Sequence, residues 1–97
     1  MFIALHGGAG SIEGMDLSTL RAVLRQACSD AMVDLKSGGN AVAAVEKSIS
    51  ILENSPLFNA GFGSSLNSEG KVECDASIMR SDRPFCGNVG GITGKAI

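Results

Sequence analysis

Tryptophan and tyrosine are absent from this 97-residue sequence, and phenylalanine occurs only four times. A core must therefore be built mainly from leucine, isoleucine, valine and alanine. No apolar run exceeds five residues, so we expect neither a membrane-spanning helix nor a secretory signal. Eight basic and ten acidic residues give a net charge of −2 with no basic cluster, so we expect no binding to nucleic acid or to anionic membranes.

Cysteine is scarce, with three residues, Cys28, Cys74 and Cys86, and no Cys-x-x-Cys pair. An odd number at wide spacing fits a reduced, cytoplasmic protein better than a disulfide scaffold or a zinc site. The length allows one small domain, which buries only about 60–65% of its unfolded surface. Because no cross-link or metal cluster supplements that core, the composition suggests part of a larger protein.

Glycine, in contrast, is abundant, with 13 residues. Residues 2–5 are predicted to form a short buried strand, and the glycine-rich residues 6–10 a tight turn. Apolar spacing of three and four predicts a helix from Asp16, capped by Asp16 or Ser18 and stopped by Gly38 and Gly39. Asn40 is predicted to cap a second helix, which ends before Pro56, so that the two form a helical hairpin.

The second half changes to an alternating pattern. Residues 71–78 and 88–94 are predicted strands, and residues 81–84 a loop between them. A turn at residues 67–70 predicts that residues 64–66 pair back as a hairpin. The order of strand, two helices and then strands predicts an α+β fold, with helices layered on a largely antiparallel sheet.

Candidate chemical groups are few. His6 is the only histidine, and we expect a hydrogen-bonded structural role. The turn at residues 6–10 is expected to be a plain tight turn, although an anion-binding module built on it is an alternative. Cys74 and Cys86 are thiol nucleophiles in principle, but Cys74 falls on the apolar face of its strand. Glu73 and Asp75 share the other face, as a carboxylate pair or as a solvated surface.

The loop at residues 55–63 is unusual because it is apolar yet contains two glycines, a proline and an asparagine. Such a loop must fold onto the protein, and its carbonyl oxygens then need partners. A bound cation is one way to satisfy them.

Four stretches together resemble the plant-type asparaginase family of N-terminal-nucleophile hydrolases, which includes isoaspartyl peptidase/L-asparaginase, glycosylasparaginase and threonine aspartase. They are His-Gly-Gly-Ala-Gly at residues 6–10, the run over residues 52–63, Gly-Lys-Val-Glu-Cys-Asp-Ala-Ser-Ile-Met at residues 70–79, and Val-Gly-Gly-Ile-Thr-Gly at residues 89–94. The resemblance implies a four-layer αββα sandwich, incomplete in this sequence. It also implies a precursor that cleaves itself before a threonine, whose hydroxyl then attacks an amide while its own amine takes the proton.

The resemblance assigns site residues as well. It implies a structural sodium ion bound through the main-chain carbonyls of Leu52, Glu53, Ser55, Phe58, Ala60 and Phe62. It places Asn59 in the active site of the complete enzyme, facing the threonine, and it requires no other cofactor. One departure follows Met79, where the family has Asp-Gly and this sequence has Arg80 and Ser81.

No residue of this sequence matches the nucleophile itself, so no catalytic residue is assigned within it. Thr19 lies in the first predicted helix, and Thr93 follows isoleucine rather than glycine. The resemblance therefore implies that residues 1–97 are the N-terminal part of the α subunit, with the threonine beyond them in a Gly-Thr-Val-Gly context.

The function expected from the resemblance is hydrolysis of asparagine, β-aspartyl peptides or aspartyl sites in proteins. Asparaginase and threonine aspartase activity both stay open. Residues 6–8 resemble the asparaginase version of the first turn, and residues 73–79 resemble the threonine aspartase version of the strand. The expected partners are a small-molecule or peptide substrate and the protein's own C-terminal β subunit, in a homo-oligomer of αβ units. The alternative is a catalytically inactive product that acts only by binding to a full-length copy or another partner.

Overall fold

Two helices, a short 3₁₀ helix and two strands make up the fold, in a computed structural model that describes residues 1–94. Helix α1 spans Leu17–Lys36 and α2 spans Ala41–Glu53; the 3₁₀ helix is Gly61–Gly63. Strand β1 spans Cys74–Arg80 and β2 spans Phe85–Ile92. The predicted α+β class is confirmed at this level. Residues 95–97, the last three of the predicted domain, lie outside the described part.

Helix α1 is capped by Asp16, one of the two caps that the sequence predicted. The Asp16 carboxylate accepts hydrogen bonds from the Thr19 hydroxyl at 2.7 Å and from the Ser18 backbone N–H at 3.0 Å. The hydrogen bond from the Thr19 hydroxyl, with those from the backbone N–H groups of Thr19 and Ser18, lowers the pKa of Asp16. The cap therefore satisfies backbone donors that the first helical turn leaves without partners.

The turn between α1 and α2 confirms the predicted helical hairpin. Gly38 has φ +92°, a conformation that glycine adopts without a steric penalty, and the Gly39 N–H donates to the Asp34 carbonyl at 2.8 Å. The Asn40 side chain caps α2 by accepting from the Ala43 N–H at 2.9 Å. The Lys47 ammonium donates to the Asp34 carboxylate at 2.8 Å across the two helices, which raises the pKa of Lys47.

The core lies between the two helices and the loop that follows α2. Ala27 of α1, Leu52 of α2 and Phe58 of the loop form its buried centre. Six half-buried residues pack around that centre, namely Leu5, Leu20, Val23, Leu24, Ile51 and Leu57. The core therefore fixes the loop against the helices. No helix within residues 1–94 combines the length and hydrophobicity needed to cross a bilayer.

The sheet is a two-stranded antiparallel hairpin in which Ser77 pairs with Asn88 and Ile78 with Gly87. Cys74, Ala76 and Ile78 of β1 are half-buried while the residues between them are exposed, so the predicted alternation is confirmed. The pairing is irregular between Cys74 and Ala76.

Two predicted strands are wrong. Residues 2–5 adopt no strand, because no described strand lies beside them to pair with. Phe2 is accordingly 84% exposed rather than buried. Residues 64–66 do not pair back either, because the Ser65 N–H donates to the Asn59 side chain instead.

Other strand boundaries move by a few residues. The turn at residues 67–70 is present and is held by the Asn67 side chain, which accepts from the backbone N–H groups of Glu69 and Lys71 at 2.9 Å each. The predicted strand at residues 71–78 is found at Cys74–Arg80, and that at residues 88–94 is found at Phe85–Ile92. The loop at residues 81–84 between them is confirmed.

Candidate functional site

The apolar loop after α2 folds onto the core, as its sequence required. Leu52 and Phe58 are buried at 5% and 4% exposure and join the core, while Ser55 and Glu53 are buried beside them. Ala60 is half-buried and leads into the 3₁₀ helix, where Phe62 is exposed. The six residues implied as sodium ligands therefore run from the last turn of α2 through the loop into the 3₁₀ helix.

Backbone oxygens of this loop converge on two glycines. A Cβ atom added to Gly61 would lie 2.5 Å from the Glu53 carbonyl oxygen. One added to Gly63 would lie 2.1 Å from the carbonyl oxygen of Phe58 and 2.8 Å from that of Pro56. Gly61 also has φ +53°, which glycine adopts more readily than other residues. Only glycine lets the loop close tightly enough to gather these oxygens.

The gathered oxygens suit a hard cation. The carbonyl oxygens of Leu52 and Ala60 each accept a backbone hydrogen bond at 3.1 Å, from Ser55 and Gly63 respectively. Because a carbonyl oxygen carries two lone pairs, the single bond on the Ala60 oxygen leaves a second acceptor position, whereas the Leu52 oxygen also lies within reach of the Asn54 N–H. Hard cations prefer oxygen ligands, carbonyl oxygens among them. In chemical type, main-chain carbonyl oxygens are therefore compatible with the implied sodium ion.

Asn59 occupies the exposed edge of the same loop. Its Oδ1 atom accepts a hydrogen bond from the Ser65 N–H at 2.8 Å. A backbone N–H can only donate, so the amide oxygen must face Ser65 and the NH₂ group must point away. Asn59 therefore offers its two N–H donors, together with the second lone pair of Oδ1, to anything that binds beside it.

Two cavities meet at Asn59. One of about 660 Å³ lies between Asn59 and the glycine-rich residues 6–10, over Leu24 and Phe58. The other, of about 340 Å³, lies between Asn59 and the start of β1 at Glu73 and Asp75. The sequence did not predict that residues 6–10 and residues 58–60 would line one cavity. The only signal was the small size of the residues at 6–10.

The segment at residues 6–10, predicted as a tight turn, has bends at residues 9 and 10 and no backbone hydrogen bond within it, and it has no catalytic arrangement of its own. His6 Nδ1 accepts a hydrogen bond from the Gly8 N–H at 3.1 Å, which confirms its predicted hydrogen-bonded role in the turn. A Cβ at Gly7 would lie 3.0 Å from the Phe58 ring, so the turn rests directly on the loop. A side chain at this position would therefore fit only if the Phe58 ring shifted.

Cys74 and Asp75 of β1, and Glu73 just before it, occupy the faces that the alternation predicted. Cys74 is half-buried, with its Sγ 3.2 Å from the Ser64 hydroxyl oxygen, and Cys86 is exposed. Glu73 and Asp75 are exposed. Asp75 accepts a hydrogen bond from the Gly91 N–H at 2.9 Å where the strand pairing is irregular, a contact that sequence analysis missed. Asp75 therefore helps to shape the wall of the smaller cavity.

Comparison with known proteins gives a match to the asparaginase family over residues 1–95. The chain is 44% identical over 93 residues to the plant-type L-asparaginase of Pyrococcus furiosus, a match that covers 95% of this chain and 30% of that protein. It is 44% identical over 80 residues to the isoaspartyl peptidase/L-asparaginase of Mus musculus, covering 81% of this chain and 24% of that protein. The protein of the same name from Xenopus laevis is 43% identical over 91 residues. The chain spans less than a third of the length of these relatives.

Proposed function

The chain belongs to the asparaginase family, and we propose that it forms the N-terminal part of the α subunit of a threonine-nucleophile amidohydrolase. The observation that carries the proposal is the 44% identity to a plant-type L-asparaginase over 95% of the chain. The proposed reaction is hydrolysis of the side-chain amide of asparagine or of a β-aspartyl peptide bond. Cleavage at aspartyl sites in proteins is the further activity that the resemblance implies.

In this proposal the described residues build one wall of the active site. The Asn59 NH₂ group points away from Ser65. In the proposal it donates toward the threonine or a substrate oxygen. The loop that carries Asn59 is fixed by Leu52 and Phe58 in the core. The threonine hydroxyl attacks the amide carbon and its α-amine accepts the proton, as in other N-terminal-nucleophile enzymes.

We propose a sodium ion as the structural partner of the loop, held by the carbonyl oxygens of Leu52, Glu53, Ser55, Phe58, Ala60 and Phe62. When bound, the ion would stabilise the loop and take no part in the chemistry. Support comes from the convergence of the Glu53 and Phe58 oxygens on Gly61 and Gly63. The position of Asn59, between two of these ligands, would then depend on the ion.

The same proposal extends to assembly and location. The complete enzyme would contain the four-layer αββα sandwich, pair this segment with a C-terminal β subunit, and form a homo-oligomer of αβ units. Three free cysteines support a reducing, cytoplasmic location.

A chimeric enzyme tests the proposed function. This chain's residues replace the 93 aligned residues of the Pyrococcus furiosus protein, and ammonia release from asparagine and from a β-aspartyl dipeptide is measured. We expect self-cleavage and turnover, with the two substrates separating the proposed activities. A matched chimera carrying Asn59→Ala shows whether turnover depends on the proposed active-site residue. A folded chimera that neither cleaves itself nor turns over either substrate would instead favour the inactive, binding-only alternative.

A further inference from the structure

The hairpin of β1 and β2 carries a bulge near the start of β1. The pairing is irregular between Cys74 and Ala76, whose partners on β2 lie three residues apart rather than two. Asp75 therefore lies opposite both Gly90 and Gly91. A bulge of this kind leaves its extra residue without a partner in the ladder, and bulges are frequent beside active sites.

The Asp75 carboxylate holds this bulge in place. Its Oδ1 atom accepts a hydrogen bond from the Gly91 N–H at 2.9 Å, which supplies the partner that the bulge removes from the ladder. Gly91 has φ +64°, and a Cβ atom added to Gly90 would lie 3.2 Å from the same Asp75 oxygen, so both glycines favour the contact. A slip of one residue in the pairing would turn the side chains of a strand to the opposite face. The carboxylate therefore specifies the register at this end of the hairpin.

The start of β1 is joined to the loop that carries Asn59. Cys74 Sγ lies 3.2 Å from the Ser64 hydroxyl oxygen, and the next residue, Ser65, donates its N–H to Asn59. Asn59, Ser64 and Asp75 line the same cavity of about 340 Å³. A change of register at the bulge would move Cys74 away from Ser64 and disturb the adjoining hydrogen bond to Asn59.

We propose that Asp75 is a positioning residue, which fixes the orientation of the Asn59 amide by holding the bulge at Gly91. It acts as a hydrogen-bond acceptor rather than as a charge, because the group that it holds is a neutral backbone N–H. Its effect reaches Asn59 through the contact of Cys74 with Ser64. An effect on turnover rests on the function proposed above, whereas the placement of Asn59 is measurable in the chain itself.

Hydrogen exchange of the Ser65 amide in the 97-residue chain tests this placement. Asp75→Ala should speed that exchange about tenfold, because the Ser65 N–H loses its steady acceptor, and should shift the NMR signals of the Asn59 NH₂ group. Asp75→Asn keeps an acceptor oxygen and should restore both readouts. Ser77→Ala is the matched control, since Ser77 is exposed on the same face of β1 but lies in the regular part of the ladder. Amides of α1 and α2 should keep their wild-type exchange rates, which separates a local displacement from unfolding.

Kinetics of the chimeric enzyme test the consequence for turnover. Asp75→Ala should lower kcat about tenfold and leave KM within about twofold, because a misplaced Asn59 loses contacts made in the transition state. Asp75→Asn should recover most of kcat, and Ser77→Ala should keep it.

The two measurements fail separately. A Ser65 exchange rate that Asp75→Ala leaves unchanged, or that Asp75→Asn does not restore, would overturn the inference whether or not the chimera is active. A normal kcat in Asp75→Ala, despite faster Ser65 exchange, would overturn the role in turnover. An inactive wild-type chimera would instead refute the proposed function, because the exchange measurement requires no turnover.

Discussion

The side-chain oxygen of Asn59 and the backbone N–H of Ser65 are joined by a hydrogen bond of 2.8 Å. This bond closes the loop around the glycines at positions 61 and 63 and fixes the orientation of the Asn59 amide. The same bond takes the Ser65 donor that a strand pairing of residues 64–66 would have used. One contact therefore accounts both for a strand that does not form and for the direction of a candidate active-site group.

Substitutions at Asn59 separate its two roles. Asn59→Asp keeps an oxygen for the Ser65 N–H but replaces the NH₂ donor by a carboxylate oxygen. We expect it to leave the unfolding free energy of the 97-residue chain within about 0.5 kcal/mol while strongly lowering turnover of the chimeric enzyme. Asn59→Ala removes both groups and should also lower stability by about 1 kcal/mol. Undiminished self-cleavage and turnover in Asn59→Asp would show that Asn59 only closes the loop.

Three glycine-to-alanine variants test the close approach of the loop's carbonyl oxygens to Gly61 and Gly63. Gly61→Ala combines φ +53° with a contact of 2.5 Å to the Glu53 oxygen, and we expect it to lose about 3 kcal/mol or more of stability. Gly70→Ala is the control, because it has φ +74° but nothing within 4 Å, so only about 1 kcal/mol should be lost. Gly63→Ala would bring its Cβ within 2.1 Å of the Phe58 carbonyl oxygen, but Gly63 has no positive φ, so this variant isolates the steric effect. Chemical denaturation measures all three, and equal losses at Gly61 and Gly70 would contradict the packing argument.

Sodium should stabilise the chimeric enzyme more than potassium or choline at equal ionic strength. The effect arises because the ion binds the folded loop and not the unfolded chain. Phe58→Leu, although it alters a proposed ligand residue, keeps the main-chain oxygen; it should cost about 1 kcal/mol through lost core packing and leave the sodium dependence unchanged. Thermal unfolding in the three salts provides the measurement. A melting temperature that is the same in all of them would count against the site.

Acid should destabilise the start of α1 through Asp16. Hydrogen bonds from Thr19 and Ser18 hold the folded pKa of Asp16 below its ordinary value of 3.8. A carboxylate whose pKa is depressed on folding contributes stability above the unfolded pKa and loses it as the pH falls through the folded pKa. We therefore expect stability that falls from about pH 4 downward, with a smaller fall in Asp16→Asn. An identical pH profile for both proteins, followed by circular dichroism, would exclude this role.

The 97-residue chain by itself should hydrolyse neither asparagine nor β-aspartyl dipeptides. Its two threonines offer no terminal amine, and the Thr19 hydroxyl is already bound to the Asp16 carboxylate at 2.7 Å. His6, its only histidine, is hydrogen-bonded within its own turn. Ammonia release by the purified chain is the measurement, with the active chimera as the positive control. Turnover that persisted in Thr19→Ala, Thr93→Ala and His6→Ala would overturn the proposed mechanism.

Helices were predictable from the sequence because their signals are local. Asp16 and Asn40 accept hydrogen bonds from backbone N–H groups at the starts of the two helices, and Gly38 follows the end of α1. All of these partners lie within a few residues, so the sequence alone indicates them. A strand is different because its hydrogen bonds go to another strand, whose position the strand's own residues do not encode. The alternation in β1 identified its faces correctly, but nothing in residues 2–5 could reveal that no described strand lies beside them.

The candidate site was predictable only in outline. An apolar loop with two glycines indicated a buried backbone, and the structure shows that backbone folded on Phe58. Backbone oxygens carry no residue-type signal, so their convergence at Gly61 and Gly63 could not be read directly from the sequence. The contacts of Asn59 with Ser65 and of Asp75 with Gly91 were also hidden, because each joins a side chain to a backbone group.

The short turn between α1 and α2 has a consequence for the order of folding. Its contacts, from the Gly39 N–H to Asp34 and from Asp34 to Lys47, join residues close together in sequence, so they cost little loop-closure entropy. Ala27 and Leu52 of the helices also join the buried centre, to which the sheet contributes none of its described residues, so pulse-labelled hydrogen exchange should find amides in Leu17–Glu53 protected before those of the sheet. Simultaneous protection would contradict this order. During synthesis the helical hairpin would be complete before the residues of β2 left the ribosome, and the loop bearing Asn59 would fold onto a surface already in place.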